Sequence, residues 1–151
     1  MLPEGYEYRR GRGFRQYEFY SEGPRGRILK IIMYSYLGTD NGWNYYNLGF
    51  GDFDPLEKKI SDLTVSNNLD RDKILATVAA TALEFSKWHP SCKIVIKGST
   101  PARTRLYQMK ICSHYSNIIE LFDIQGLTKE GELVPFREGE NFDGFIIERK
   151  S

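Results

Sequence analysis

The sequence predicts an α+β fold: an antiparallel meander, then helix–strand–helix, then closing strands, together forming a mixed sheet. Three observations carry this prediction. Between residues 14 and 66, runs rich in aromatic and branched residues alternate with Gly, Pro, Asn and Asp turns, the pattern of hairpin-linked strands. Near Asp70 the apolar spacing changes from a period of two to that of a helix. A short apolar run, "CKIVIKG" (92–98), follows the helix directly, and a strand on each side of a helix marks a parallel crossover.

The elements follow in order. Residues 1–13 are a polar, glycine-containing lead-in, loose or paired at an edge. "FRQYEFY" (14–20) and "RILKIIMYSYL" (27–37) flank "SEGPRG", whose Gly and Pro residues predict a hairpin turn. "GTDNG" (38–42) predicts a second turn, "WNYYNLGF" (43–50) a third strand and "GDFDPLEKK" (51–59) a third turn. "ISDLTVS" (60–66) alternates like a strand, and the crossover makes it the parallel partner of 92–98. "DRDKILATVAATALEFSKW" (70–88) predicts a helix with Asp70 as N-cap and Leu75, Val78, Ala79, Ala82 and Phe85 facing the core. His89 before Pro90 ends it. Thr100-Pro101 opens a second helix, with threonine as cap and proline where no donor is needed. That helix is expected to turn Leu106 and Met109 inward. A short helix over 114–122 and strands within 122–127, 131–136 and 142–150 complete the chain.

The 151 residues suit one domain, with 40% hydrophobic and 27% charged residues, an ordinary soluble composition. A net charge of +1 points to no class of partner. Arg9, Arg10, Arg12, Arg15, Arg25, Arg27 and Lys30 crowd the N-terminal region, either as a nucleic-acid footprint or as solvated strand edges and a loose N-terminus. Cys92 and Cys112 lack the spacing of a redox or zinc motif and read as reduced residues of a cytoplasmic protein. There is no signal-peptide pattern and no membrane-length apolar run. His89 and His114 lack a metal-binding spacing, so no metal is expected. The oligomeric state is not legible.

The stretch "KGSTPARTRLYQM" (97–109) raises the main functional question. A strand ending in Gly-Ser-Thr and feeding a helix directs backbone N–H groups at one spot, and helix N-termini attract anions. Lys97, Ser99, Thr100, Arg103 and Arg105 add hydroxyls and charge. A phosphate-bearing molecule fits this pattern, and so does a plain cap with solvated basic residues. "SNNLDRD" (66–72) opens the other helix. If strands 60–66 and 92–98 are parallel neighbours, both helices aim their N-termini into one crevice. Ser66, Asn67, Asn68 and Arg71 then line one side, opposite Ser99, Thr100 and Arg103. Tyr107 faces that crevice or the core. A small anionic ligand is thus the expected partner.

Residues 60–111 resemble the GNAT-type N-acetyltransferase superfamily. "ISDLTVSNNLDRDKILATVAATAL" is similar to its central strand, cofactor loop and following helix, and "IVIKGSTPARTRLYQMKI" to its later strand and helix. The resemblance implies an acetyltransferase-like fold and acetyl-CoA as cofactor. It also implies attack of an amine on a thioester, with the backbone of 64–66 orienting the acyl group and Tyr107 protonating the leaving thiol. Ile74 stands where the superfamily's loop has its first glycine, and Lys110-Ile111 replaces its Gly-Phe. The chain also resembles a family of small uncharacterised bacterial proteins, through "YEFYSEGPRGRI", "YNLGFGDFD", "DLTVSNNLDRDKILATVAATAL" and "KGSTPARTRLYQM". The alternative function is a nucleic-acid- or protein-binding module, such as a toxin–antitoxin or phage-defence component. It would use the N-terminal arginines with Lys97, Arg103 and Arg105.

Overall fold

A computed structural model of the chain describes residues 4–11, 15–54, 56, 59–61, 68–98 and 100–150. Among the described residues the fold is α+β, with a mixed sheet and three helices. It divides into two units, residues 1–35 with 49–89 and residues 36–48 with 90–151. Residues of two long strands, β3 (Gly26–Asp40) and β4 (Trp43–Asp54), are assigned partly to each.

In the first unit β1 (Arg9–Arg10) pairs with β2 (Gln16–Gly23), and β2 pairs with β3, both antiparallel. The expected hairpin closes with Gly23 opposite Gly26, and Gly26 has φ +89, a left-handed conformation that glycine adopts without strain. A short β5 (Lys59–Ser61) pairs antiparallel with the end of β4. Residues 51–54, expected in a turn, extend β4 instead. Helix α1 (Arg71–Trp88) packs Phe85 on Tyr34, their rings stacked 4.2 Å apart.

The buried face of α1 is rotated from the expected stripe. Thr77 and Thr81 are buried with Ala76, Ala82 and Phe85, whereas Leu75, Val78 and Ala79 are half-exposed. Two hydroxyls can occupy this core because each is satisfied. Thr77 Oγ1 donates to the Lys73 carbonyl at 2.7 Å and accepts from Tyr6 N at 2.7 Å. Thr81 Oγ1 donates to the Val78 carbonyl at 2.8 Å and lies 2.9 Å from the Tyr34 hydroxyl.

In the second unit β6 (Cys92–Ile96) runs parallel to β4, with Asn44 opposite Cys92 and Leu48 opposite Ile96. Its other neighbour is β9 (Gly144–Arg149), followed by β7 (Phe122–Leu127) and β8 (Leu133–Pro135), all antiparallel. The crossover is therefore real, but its first strand is β4 and not 60–66. The short β5 pairs antiparallel with the end of β4, and residues 62–67 lie outside the described residues. Helices α2 (Pro101–Ser113) and α3 (Tyr115–Leu121) lead from β6 to β7. Phe136, Phe142 and Phe145 cluster in this unit's core with Ile94, Phe122 and Ile147.

Candidate functional site

The start of α2 forms a cleft of about 360 Å³, bordered by Lys97, Thr100, Arg105, Gln108, Lys129 and Asp143. Gly98 permits the close turn into the helix. A Cβ there would lie 2.4 Å from Arg103 Cβ and 2.6 Å from Thr104 N. Thr100 caps the helix as expected, accepting from Arg103 N at 3.2 Å. Buried Thr104 closes the turn: its Oγ1 accepts from Gly98 N at 3.0 Å and donates to the Thr100 carbonyl at 3.3 Å.

These bonds change the chemistry expected of the site. Pro101 has no N–H, Arg103 N and Thr104 N both donate to Thr100, and Gly98 N donates to Thr104. The backbone donors expected to cradle an anion are largely engaged inside the cap. The positive charge at the cleft is carried instead by the side chains of Lys97, Arg105 and Lys129, near the positive end of the helix dipole. Asp143 opposes them, its carboxylate 4.0 Å from Lys97 Nζ. Gln108, only 8% exposed, fixes the back wall by donating to the Glu140 carbonyl and accepting from Phe142 N at 3.5 Å.

Among the lining residues that sequence reasoning missed are Gln108, Lys129, Asn141 and Asp143. The last three arrive from the far side of the unit, so no local spacing announces them. Among the expected residues, Lys97, Thr100 and Arg105 meet at the cleft, whereas Arg103 and half-buried Tyr107 do not line it. Ser99 lies outside the described residues. Leu106 and Met109, expected inward, are 41% and 59% exposed. The inward face of α2 carries Thr104, Gln108 and Ile111, because the first two side chains serve the cap and the back wall.

The expectation of a crevice shared by two helix starts rested on strands 60–66 and 92–98 pairing, and β6 pairs with β4 instead. Within the first unit the start of α1 lines a shallow pocket with Glu4, Glu22, Asp70, Arg71, Asp72 and Lys73. Its surplus of carboxylates opposes an anion. Ser66 and Asn67 lie outside the described residues. Asn68 is buried and structural: its Oδ1 accepts from Arg25 N at 2.7 Å, and its Nδ2 donates to the Gly26 carbonyl at 2.9 Å. Asp70 makes no side-chain cap on α1. Its Oδ2 accepts from the Tyr6 hydroxyl at 2.6 Å and from the Ser21 hydroxyl. Burial, and then this bond to Asp70, raise the Tyr6 pKa.

Much of the N-terminal positive charge has a local partner. Arg9 pairs with Glu18, Arg10 lies 3.8 Å from Glu84, and Arg27 lies 3.8 Å from Glu22. Arg27 also stacks 3.9 Å over the Tyr20 ring. Buried Lys30 pairs with Asp52. Arg12 lies outside the described residues. Neither cysteine is in a disulfide, and burial raises the pKa of Cys112. Among the described residues no group of three or more His, Cys, Asp and Glu is arranged to hold a metal. No helix among them is long and apolar enough to cross a membrane.

Fold and site together define an α+β protein with a mixed sheet and a cation-lined cleft at the start of one helix. The chain belongs to the DUF6934 family, a family of unknown function whose model matches residues 3–150. No curated protein and no solved structure matches it. The expected likeness to N-acetyltransferases receives no support from these comparisons.

Proposed function

We propose that the protein binds a small, phosphate-bearing anion in the cleft at the start of α2. The observation that carries this reading is the convergence of Lys97, Arg105 and Lys129 on one helix N-terminus across a cavity of about 360 Å³. The three cations come from three segments of the chain and face a single carboxylate, Asp143. Charge brought together over such sequence distances raises the local concentration of anions and strengthens their binding. The acyltransferase reading needs Tyr107 beside the bound molecule. Tyr107 does not line this cleft, so binding without acyl transfer is the reading adopted.

The test is thermal unfolding with CoA, ATP and inorganic phosphate as probes. A ligand at about 100 times its Kd stabilises by about 2.7 kcal/mol, which raises Tm by about 5–10 °C in a chain of this size. Arg105→Ala and Lys129→Ala are each expected to weaken binding about tenfold, or about 1.4 kcal/mol. Asp143→Asn removes the opposing charge and is expected to tighten it. Equal shifts in the wild type and the Arg105→Ala/Lys129→Ala double variant, or no shift with any probe, would refute the proposal.

A further inference from the structure

Helix α2 is only partly buried by its apolar residues. Its inward face presents Thr104, Gln108 and Ile111, and its outer face presents Ala102, Leu106 and Met109. The three outer residues fall at i, i+4 and i+7, so they form one continuous stripe along the helix. An amphipathic helix normally buries such a stripe, and an apolar surface left in water marks a contact site.

The stripe has charged borders. Arg105 stands beside Met109 at i, i+4, and Arg103 and Lys110 stand on the other side, three before and four after Leu106. No acidic residue occurs anywhere in Pro101–Ser113. Neither the Arg103 nor the Arg105 guanidinium forms an ion pair among the described residues.

We propose that this face docks an acidic amphipathic helix of another protein, whose apolar spine lies on Ala102, Leu106 and Met109 and whose carboxylates meet the two basic borders. Two amphipathic helices pack through apolar stripes at this spacing, and the complementary charges set orientation and association rate. A second copy of this chain is disfavoured, because self-pairing along α2 brings like charges together. A lipid surface is disfavoured because only two large apolar side chains are available to insert.

The experiment is fluorescence anisotropy with a labelled synthetic helix bearing Leu at i, i+4 and i+7 and Glu on both flanks of that stripe. Saturable binding is expected, weakened at least tenfold by Leu106→Gln/Met109→Gln. Binding should weaken further as salt rises from about 0.05 to about 0.5 M, where charges are screened. Lys129→Ala should leave it unchanged, which separates this surface from the anion cleft. Glutamine keeps helix propensity, so Tm should stay within about 2 °C of the wild type. The proposal is overturned if the peptide does not bind, or if a charge-reversed peptide with Lys for Glu binds equally well. It is likewise overturned if the glutamine substitutions abolish binding to phosphatidylserine vesicles or dissociate a dimer seen by light scattering.

Discussion

Replacing Tyr17 by Phe tests the packing of the first unit directly. Tyr17 is fully buried in β2 and its ring meets those of Tyr8 and Tyr34 edge-on, at 5.7 and 5.9 Å. Its hydroxyl and Glu84 Oε2 are both buried without a partner in hydrogen-bond geometry among the described residues, although the Glu84 carboxylate comes near enough to act on the phenol through hydrogen bonding as well as charge. A buried polar group left without a partner costs about 1–3 kcal/mol. Tyr17→Phe removes that group and keeps the ring, so the variant is expected to be about 1 kcal/mol more stable at pH 7. For a chain of this size that raises Tm by about 2–4 °C. The pH dependence supplies a second readout. Burial, and then the nearby Glu84 carboxylate, raise the Tyr17 pKa above its ordinary 10.0. Above that value the unfolded chain loses the phenolic proton while the folded chain keeps it. The unfolded state then binds fewer protons, and stability falls as pH rises. The neutral phenol's contribution is fully present below pH 10 and declines above it, a decline that the Phe variant should reduce. Urea denaturation at pH 7 and at pH 10.5 measures both. A loss of 1 kcal/mol or more at pH 7 would show that the hydroxyl holds a bond worth keeping. Parallel alkaline losses in the two proteins would show that Tyr17 is not the group responsible.

Two further substitutions address the turn that shapes the cleft. Gly98→Ala places a methyl group against Arg103 and the helix backbone and should cost about 1–3 kcal/mol, measured by thermal unfolding. Thr104→Val leaves Gly98 N without its acceptor and should cost a similar about 1–3 kcal/mol, with faster hydrogen exchange at Gly98. In the first unit Lys30→Met strands the Asp52 carboxylate beside the core and should destabilise by about 3–5 kcal/mol. The double variant Lys30→Met/Asp52→Leu should recover most of that loss; failure to recover would mean that the pair does more than satisfy itself.

Local signals announced local structure. The "SEGPRG" turn, the helix over 71–88 and the Thr100-Pro101 helix start are written in residues adjacent in the chain, and each formed where expected. Strand pairing across a crossover was less legible. Both β4 and residues 60–66 precede α1, and alternation alone does not say which of them will meet β6. Side-chain direction was misread where polar residues are buried with partners. Apolar periodicity assigns Thr77, Thr81, Thr104 and Gln108 to water, yet each satisfies its polar atoms inside the fold. The cleft was half legible for the same reason. Lys97, Thr100 and Arg105 lie on one stretch, whereas Lys129 and Asp143 reach it only through the antiparallel return of β7 and β9.

The division of the sequence between the two units has a practical outcome. Each unit is assembled from two separated pieces of sequence, because the β3–β4 hairpin contributes its base to one and its tip to the other. No single scission releases either half whole. A fragment ending at His89 keeps the hairpin tip but loses β6, leaving Asn44–Leu48 as an unsatisfied sheet border prone to aggregation. The complementary fragment from Pro90 starts without that template. Expressed apart, the pieces should be insoluble; expressed together, they should reconstitute through the β4–β6 pairing.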